Sequence, residues 1–264
     1  LKSSDYYKKA LRLYPDNFLC MLRLANSLSE AQKYMQAIGV YSLYLHHNQL
    51  KEYVWLQRGY NYFLIGANDK AISDFESAYE INNKNFETCK ILVNGYISSG
   101  DTIEGFEVIN DYIARAKREL ATADSLIQNE KTATNEASQD KAYSYFNKSL
   151  EHAIAQAYNF RGTLHAEAER YNMALSDYEE GLSYSDNLNG MLGRMIIKYN
   201  LGQYRNAIIA CDQILLKQET EPNALYYRGR SLIEIGDVSE GMSYIRQAEK
   251  QGYKLAVQYL NQMK

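Results

Sequence analysis

Bulky apolar residues along this chain fall at helical spacing, and one run of positions returns about every 34 residues. The run is clearest in Trp55, Arg58-Gly59, Tyr62, Gly66, Ala71, Phe75 and Ala78. It comes back as Tyr158, Arg161-Gly162, Ala174, Tyr178 and Gly181, and again as Leu225, Arg228-Gly229, Leu232, Gly236, Gly241, Ile245 and Ala248. Trp55, Tyr62 and Phe75 recur at intervals that form the apolar stripe of amphipathic helices. Gly59, Ala71 and Ala78 leave little side chain where the helices of a hairpin, and the next hairpin, must approach closely. A larger side chain at Gly59 or Ala71 is therefore expected to overfill that contact. Gly66, Gly100, Gly202 and Gly236 stand where a left-handed residue can stop a helix and satisfy its last carbonyls. Asp101 and Asp237 follow at the expected start of the next helix, and Pro222 stands at a first helical position, where its missing N–H costs nothing. The pattern predicts an all-α stack in which each helical hairpin touches its neighbours.

These positions, in constant register, resemble the tetratricopeptide repeat, a helix-turn-helix unit of about 34 residues. The unit 52–85 is the clearest. The unit 18–51 carries Met21, Leu24, Ala25, Leu28, Tyr34, Ala37, Tyr41 and Tyr44 at matching places, and the unit 86–119 carries Cys89, Leu92, Tyr96, Gly100, Gly105 and Ile109. Further units are expected at 155–187, 188–221 and 222–252; the one from Leu188 is weaker at its start and recovers from Leu201-Gly202-Gln203-Tyr204 onward. The resemblance implies a right-handed superhelical α-solenoid. It also implies a non-catalytic interaction scaffold, with a protein or peptide partner held in a concave groove.

Three stretches depart from the regular array. Residues 1–17 read as the second helix of a truncated repeat ending at Pro15, so the apolar edge near Leu11 and Leu13 is expected to be covered by upstream residues, a second copy or a partner. Residues 120–154 read as a degenerate repeat or insertion: a long polar, alanine-rich first helix, a solvated turn around Thr132 to Ser138, and a second helix with Ala142 and Phe146. A single extended helix followed by a loop is the alternative. Residues 253–264 read as a capping helix whose Ala256, Leu260 and Met263 face the last hairpin.

Composition narrows the function classes. The formal net charge is −3 with no Lys/Arg run, which argues against a nucleic-acid footprint or a polybasic membrane patch. No apolar stretch reaches the roughly 20 residues a membrane span needs. No signal peptide is visible at the start, and the cellular location stays open. Cys20, Cys89 and Cys211 are too far apart for a CxxC motif or a disulfide framework and are expected to be buried, inert thiols. There is no phosphate-binding loop, no GxSxG, no HExxH and no Cys/His metal spacing, so no catalytic residue, cofactor or metal is assigned. His46-His47 suits a helix C-terminus, His165 a packing position, and Asp177, Glu179 and Glu180 a solvated helix face. Asn147-Lys148-Ser149 matches a glycosylation sequon by letters only.

The resemblance also implies which positions line the groove: the second, fifth, ninth and twelfth of each first helix. In this sequence they include Leu22 and Asn26, then Tyr53, Leu56, Tyr60 and Phe63, then Glu87, Lys90 and Asn94. Further along they include Gln156, Asn159 and Thr163, then Asn189, Leu192 and Tyr199, then Asn223, Tyr226 and Arg230. The candidate peptide groove is Asn26, Tyr53, Leu56, Tyr60, Phe63, Lys90, Asn94, Asn159, Tyr226 and Arg230: aromatics for contact area, amides for hydrogen bonds, cations for carboxylates. The two-carboxylate clamp of some family members is not expected. Asn26 and Lys90 match it, but Leu22, Tyr60 and Asn94 stand where it needs Lys, Asn and Arg. The alternative to groove binding is an assembly role, with self-association through the amino-terminal edge.

Overall fold

The computed structural model describes the backbone of residues 2–131 and 137–263, and the side chains of residues 4–126 and 144–263. Regular structure among these residues is helical throughout. The chain forms two compact units, Leu1–Ala114 and Arg115–Lys264.

In the first unit, α1 (Lys2–Leu13) packs on α2 (Phe18–Glu30), which pairs with α3 (Tyr34–His47). Met21, Leu24, Ala25 and Leu28 meet Ala37, Tyr41, Tyr44 and Leu45 in one core, with Val54 of α4 (Glu52–Leu64) closing it. Tyr7 and Leu11 of α1 pack against that core, while Leu13 and Tyr14 remain exposed. The next core joins Ala71, Ile72 and Phe75 of α5 (Asn68–Ile81) to Leu92 of α6 (Phe86–Ser99). Glu52 ties the second hairpin to the third: its carboxylate accepts hydrogen bonds from Asn82 Nδ2 and Asn85 Nδ2, each at 2.9 Å, and from the Thr88 hydroxyl.

One turn recurs between the two helices of each hairpin. Its left-handed residue is Gly66 (φ 76°), Gly100 (97°), Gly202 (71°) or Gly236 (99°), as the sequence pattern predicts. Gln32 (58°) and Glu169 (57°) hold the equivalent position with a side chain attached. The residue after it donates its N–H to the carbonyl five residues back: Ala67 to Tyr62, Gln203 to Lys198, Asp237 to Leu232. That same residue is the N-cap of the following helix, with ψ near 60° rather than in the extended range, and its side chain makes no capping bond. Asp237 is therefore no side-chain cap, contrary to expectation, and the Asp101 carboxylate accepts from Ser99 Oγ. Side-chain caps lie instead between hairpins, where Asn17, Asn85, Asn187 and Glu221 accept from N–H groups of the helices they precede.

A left-handed conformation is costly for residues with a Cβ. Gln32→Gly and Glu169→Gly should each stabilise the chain by about 0.5 kcal/mol, the relief being partly offset by the freer unfolded chain. Urea unfolding checks this, and a loss of stability in both variants would contradict the assigned turn.

The largest departure from expectation lies between 102 and 167. α7 (Thr102–Lys131) runs unbroken through 119/120, and α8 (Ala137–Glu167) runs unbroken through 154/155. The boundaries placed at 120 and 155 thus fall inside helices. From Phe106 to Arg161 the chain has no Gly or Pro, so the residues that most readily stop a helix are missing there. The expected turn at Thr132 to Ser138 lies largely outside the described residues, and the side chain of Ala142 lies outside them too.

In the second unit, α8 pairs with α9 (Tyr171–Tyr184), α10 (Leu188–Asn200) with α11 (Tyr204–Lys217), and α12 (Pro222–Glu234) with α13 (Val238–Lys250). Pro222 stands in the first turn of α12 as expected. At the crossing of α12 and α13 the helices touch through Gly229 and Gly241. α14 (Lys254–Gln262) packs on α13 through buried Ala256 and Leu260, but Met263 is exposed, because it follows the last helical residue.

Candidate functional site

The residues expected to line a groove fall in both units, in different surroundings. In the first, Tyr60 and Phe63 of α4 are both exposed, at 39% and 41%. They bound a hollow of about 120 Å³ that also takes in Phe75 of α5 and Ile91, Asn94, Gly95 and Ser98 of α6. Tyr60 meets Phe75 edge to face, with ring centroids 5.4 Å apart. Burial, reinforced by Glu87, raises the Tyr60 phenol above its usual range, so it stays a neutral donor and acceptor. Gly95 matters to the shape: a Cβ there would lie 3.1 Å from the Phe75 ring.

Earlier on α4, Tyr53 is exposed and its hydroxyl accepts from Asn26 Nδ2 at 3.1 Å, while Tyr41 donates to Asn26 Oδ1 at 2.7 Å. Asn26 is thus fixed as a bridge from α2 to α3 and α4. Lys90 pairs with Glu87 at 2.6 Å on α6, an exposed contact of the kind worth at most about 1 kcal/mol, so its cation can exchange partners. Leu56 departs from expectation: it is half-buried against the core around Phe75.

In the second unit Asn159, Tyr226 and Arg230 are taken up internally, whereas Gln156, Thr163 and Asn189 are exposed. Asn159 is buried, donating from Nδ2 to Asn187 Oδ1 at 2.8 Å, and Asn187 in turn caps α10. Tyr226 is buried against Tyr227 and Tyr253, with ring centroids 5.3 Å away in each case. Arg230 donates to the Tyr226 hydroxyl at 3.2 Å, pairs with Glu234 at 3.4 Å and lies 4.6 Å from the Tyr259 ring centroid. The cause is α14, whose Tyr259 lies beside Arg230, with Tyr253 just before it packed on Tyr226. Burial pushes the Tyr253 phenol up to about 12. Asn159 and Tyr226 are therefore not exposed groove residues.

The arginine of the repeating Arg-Gly pair was not assigned a role from sequence, and it has one. Arg58 grips Asp74 through Nε at 2.8 Å and Nη2 at 2.7 Å, and reaches Ser42 Oγ at 3.0 Å. Arg161 grips Asp177 in the same way, at 2.9 and 2.5 Å. Arg228 takes Asp212 at 2.7 Å and Glu240 at 3.0 Å, with Tyr244 4.0 Å from its guanidinium. Each Arg–Asp pair is separated by sixteen residues, a spacing visible in the sequence once looked for. Asp177 is consequently buried, not part of a solvated face, while Glu179 and Glu180 pair with Lys198 and Lys117.

His165 lies 3.8 Å from Asp177. Burial lowers its pKa, Asp177 opposes the shift, and Arg161 and Arg170 add to it. The folded-state pKa therefore lies below the unfolded value of about 6.5, so its contribution is full above that pH and is lost as pH falls through the folded value. His165→Gln should flatten part of the fall in stability between pH 7 and pH 5, measured by urea unfolding. An unchanged slope would exclude this histidine as a source.

Cys89 and Cys211 are buried thiols outside any disulfide, the latter raised out of its usual range by burial, but Cys20 is only half-buried. Among the described residues no His/Cys/Asp/Glu group is arranged to hold a metal ion, and no helix is long and apolar enough to cross a membrane.

The tetratricopeptide repeat family model matches residues 6–39, spanning α1, α2 and the start of α3, and residues 53–85, covering α4 and α5. The chain carries tetratricopeptide repeats. Among solved structures it is similar to PilW, described as a type IV pilus biogenesis factor, at 16% identity over 93% of this chain and 98% of that one, with a TM-score of 0.52. It is also similar to Pseudomonas aeruginosa PilF (12% identity, 99% of each chain, TM-score 0.51) and to yeast Tom70 (12% identity, 98% of this chain and 57% of that one, TM-score 0.56). At such identities these likenesses establish the fold of the repeat protein alone. Comparison with curated proteins finds no match.

Proposed function

We propose that this tetratricopeptide repeat protein is a non-catalytic scaffold that binds an extended segment of a partner protein along the inner positions of its first unit. One apolar side chain of that segment enters the hollow between Tyr60, Phe63 and Phe75. The support is the hollow itself. Its volume, about 120 Å³, approaches the roughly 150 Å³ at which an apolar cavity accepts a benzene ring. Two exposed aromatics at its mouth offer contact area at little entropic cost, and Asn94 and Ser98 offer an amide and a hydroxyl to a peptide backbone. Lys90, paired with exposed Glu87 and 5.7 Å from the Phe86 ring centroid, can turn to a carboxylate.

Peptide display against the whole chain tests the reading. Enriched peptides should share an apolar residue and lose affinity by about ten-fold or more on Tyr60→Ala/Lys90→Ala, with the helical spectrum unchanged. Selected peptides that bind the double variant equally well would overturn it.

A second reading, self-association through the amino-terminal edge, rests on Tyr6, Leu13, Tyr14, Leu19 and Met35, all more than 60% exposed. Light scattering across a concentration series should then show dimers that Leu13→Ser/Tyr14→Ser removes. A monomer at every concentration would dismiss this reading.

A further inference from the structure

The arginine at the seventh position of a repeat is matched by acid in Arg58, Arg161 and Arg228. Arg194 holds that position in the repeat beginning at Leu188, and its surroundings differ. Sixteen residues to either side stand Tyr178 and Ala210, whereas each of the other three arginines finds an aspartate at one of those places. Its hydrogen bond among the described residues runs from Nη2 to Gln213 Oε1, at 2.6 Å, a neutral amide. Its Nε is buried without a partner. A guanidinium that has given up water in this way gains most from an anion.

Arg194 lines a hollow of about 400 Å³ whose walls include Leu182 of α9, Met191 of α10 and Leu216 of α11. Lys217 and Asp186 also line it but neutralise each other in an ion pair, so the charge left over is that of Arg194. Leu216 is 88% exposed, an apolar side chain left in water. At 100° per residue, Arg194 stands about 140–160° around α10 from Asn189, Leu192 and Tyr199, so its side of the helix faces away from those inner positions.

We propose that this outer hollow binds the C-terminal carboxylate of a partner polypeptide whose last side chain is apolar. The planar fork of Arg194 takes the two carboxylate oxygens, and Leu182, Met191 and Leu216 receive the side chain. Charge complementarity and the apolar wall are both needed: an internal acidic side chain satisfies only the first, and an amidated terminus only the second.

The test is an NMR titration of the full chain, labelled at methionine methyls, with N-acetyl-leucine as the minimal probe. The Met191 methyl should shift saturably, with binding about ten-fold weaker for N-acetyl-leucinamide and for acetate. Arg194→Gln should abolish the response, and Tyr60→Ala should leave it intact. Leu216→Ser, at an exposed position that folding does not need, should weaken N-acetyl-leucine but not acetate. No shift at Met191, equal binding of acid and amide, acetate matching N-acetyl-leucine, or an unchanged response in Arg194→Gln would each overturn the proposal.

Discussion

Gly229→Ala is expected to destabilise the last hairpin by about 3 kcal/mol, the upper end of the usual range for overpacking. A Cβ at Gly229 would sit 2.6 Å from the Gly241 carbonyl oxygen and 3.0 Å from the Ile245 nitrogen, and a Cβ at Gly241 would sit 2.6 Å from the Gly229 carbonyl. Backbone meets backbone here, so no side chain can rotate away and the helices must separate. Gly59 is a milder case: its added Cβ meets the Phe75 ring at 2.5 Å, and a ring can shift. Gly59→Leu or Ala71→Leu should therefore cost about 1–3 kcal/mol. Gly39, with nothing within 4 Å, is the control, and Gly39→Ala should stabilise α3 by about 0.5 kcal/mol. Stacked hairpins need not unfold as one, so hydrogen exchange across 222–250 is the appropriate readout for Gly229. If Gly229→Ala proves no more costly than Gly59→Ala, the close crossing of α12 and α13 is wrong.

Arg58→Met should be comparably damaging, by about 3 kcal/mol, because it leaves the Asp74 carboxylate buried without its partner. Adding Asp74→Leu should recover most of that loss, since an apolar pair of similar volume often replaces a buried ion pair without penalty. The double-mutant cycle is thus expected to show a coupling of about 2 kcal/mol by urea unfolding. Arg228 provides the contrast. Its acidic partners Asp212 and Glu240 are 48% and 53% exposed, so water screens the pair, and Asp212→Asn should cost under about 1 kcal/mol. Additive single-variant losses at 58 and 74 would mean that the two groups do not act together.

The all-α hairpin architecture was legible in the sequence because its determinants are local: Trp55, Tyr62 and Phe75 mark one helical stripe, and Gly66, Gly100, Gly202 and Gly236 mark where the chain turns. What could not be read came from negative or long-range information. Nothing in the repeat pattern said that α7 and α8 would continue without a stop, since the signal there is only a lack of glycine and proline. Asn159 and Tyr226 occupy positions that a repeat pattern exposes, but their burial depends on Asn187 and on the helix that follows Tyr253. Asp177 looked like one of several surface carboxylates because its partner, Arg161, lies sixteen residues away on another helix. Tyr60, Phe63 and Asn94 were legible as surface residues, whereas the hollow beside them also needed Phe75 and Gly95, which read from sequence as packing positions.

The turn inside each hairpin has a consequence for where this chain can accept new material. A single residue such as Gln203 both finishes one helix and opens the next, so no slack exists there, and an inserted peptide would break both ends at once. The links between hairpins are looser: Asn48–Lys51 and Gln218–Glu221 give each helix its own boundary residue. Affinity tags, protease sites or grafted binding loops belong at those joints, and the same asymmetry predicts where relatives of different length will differ.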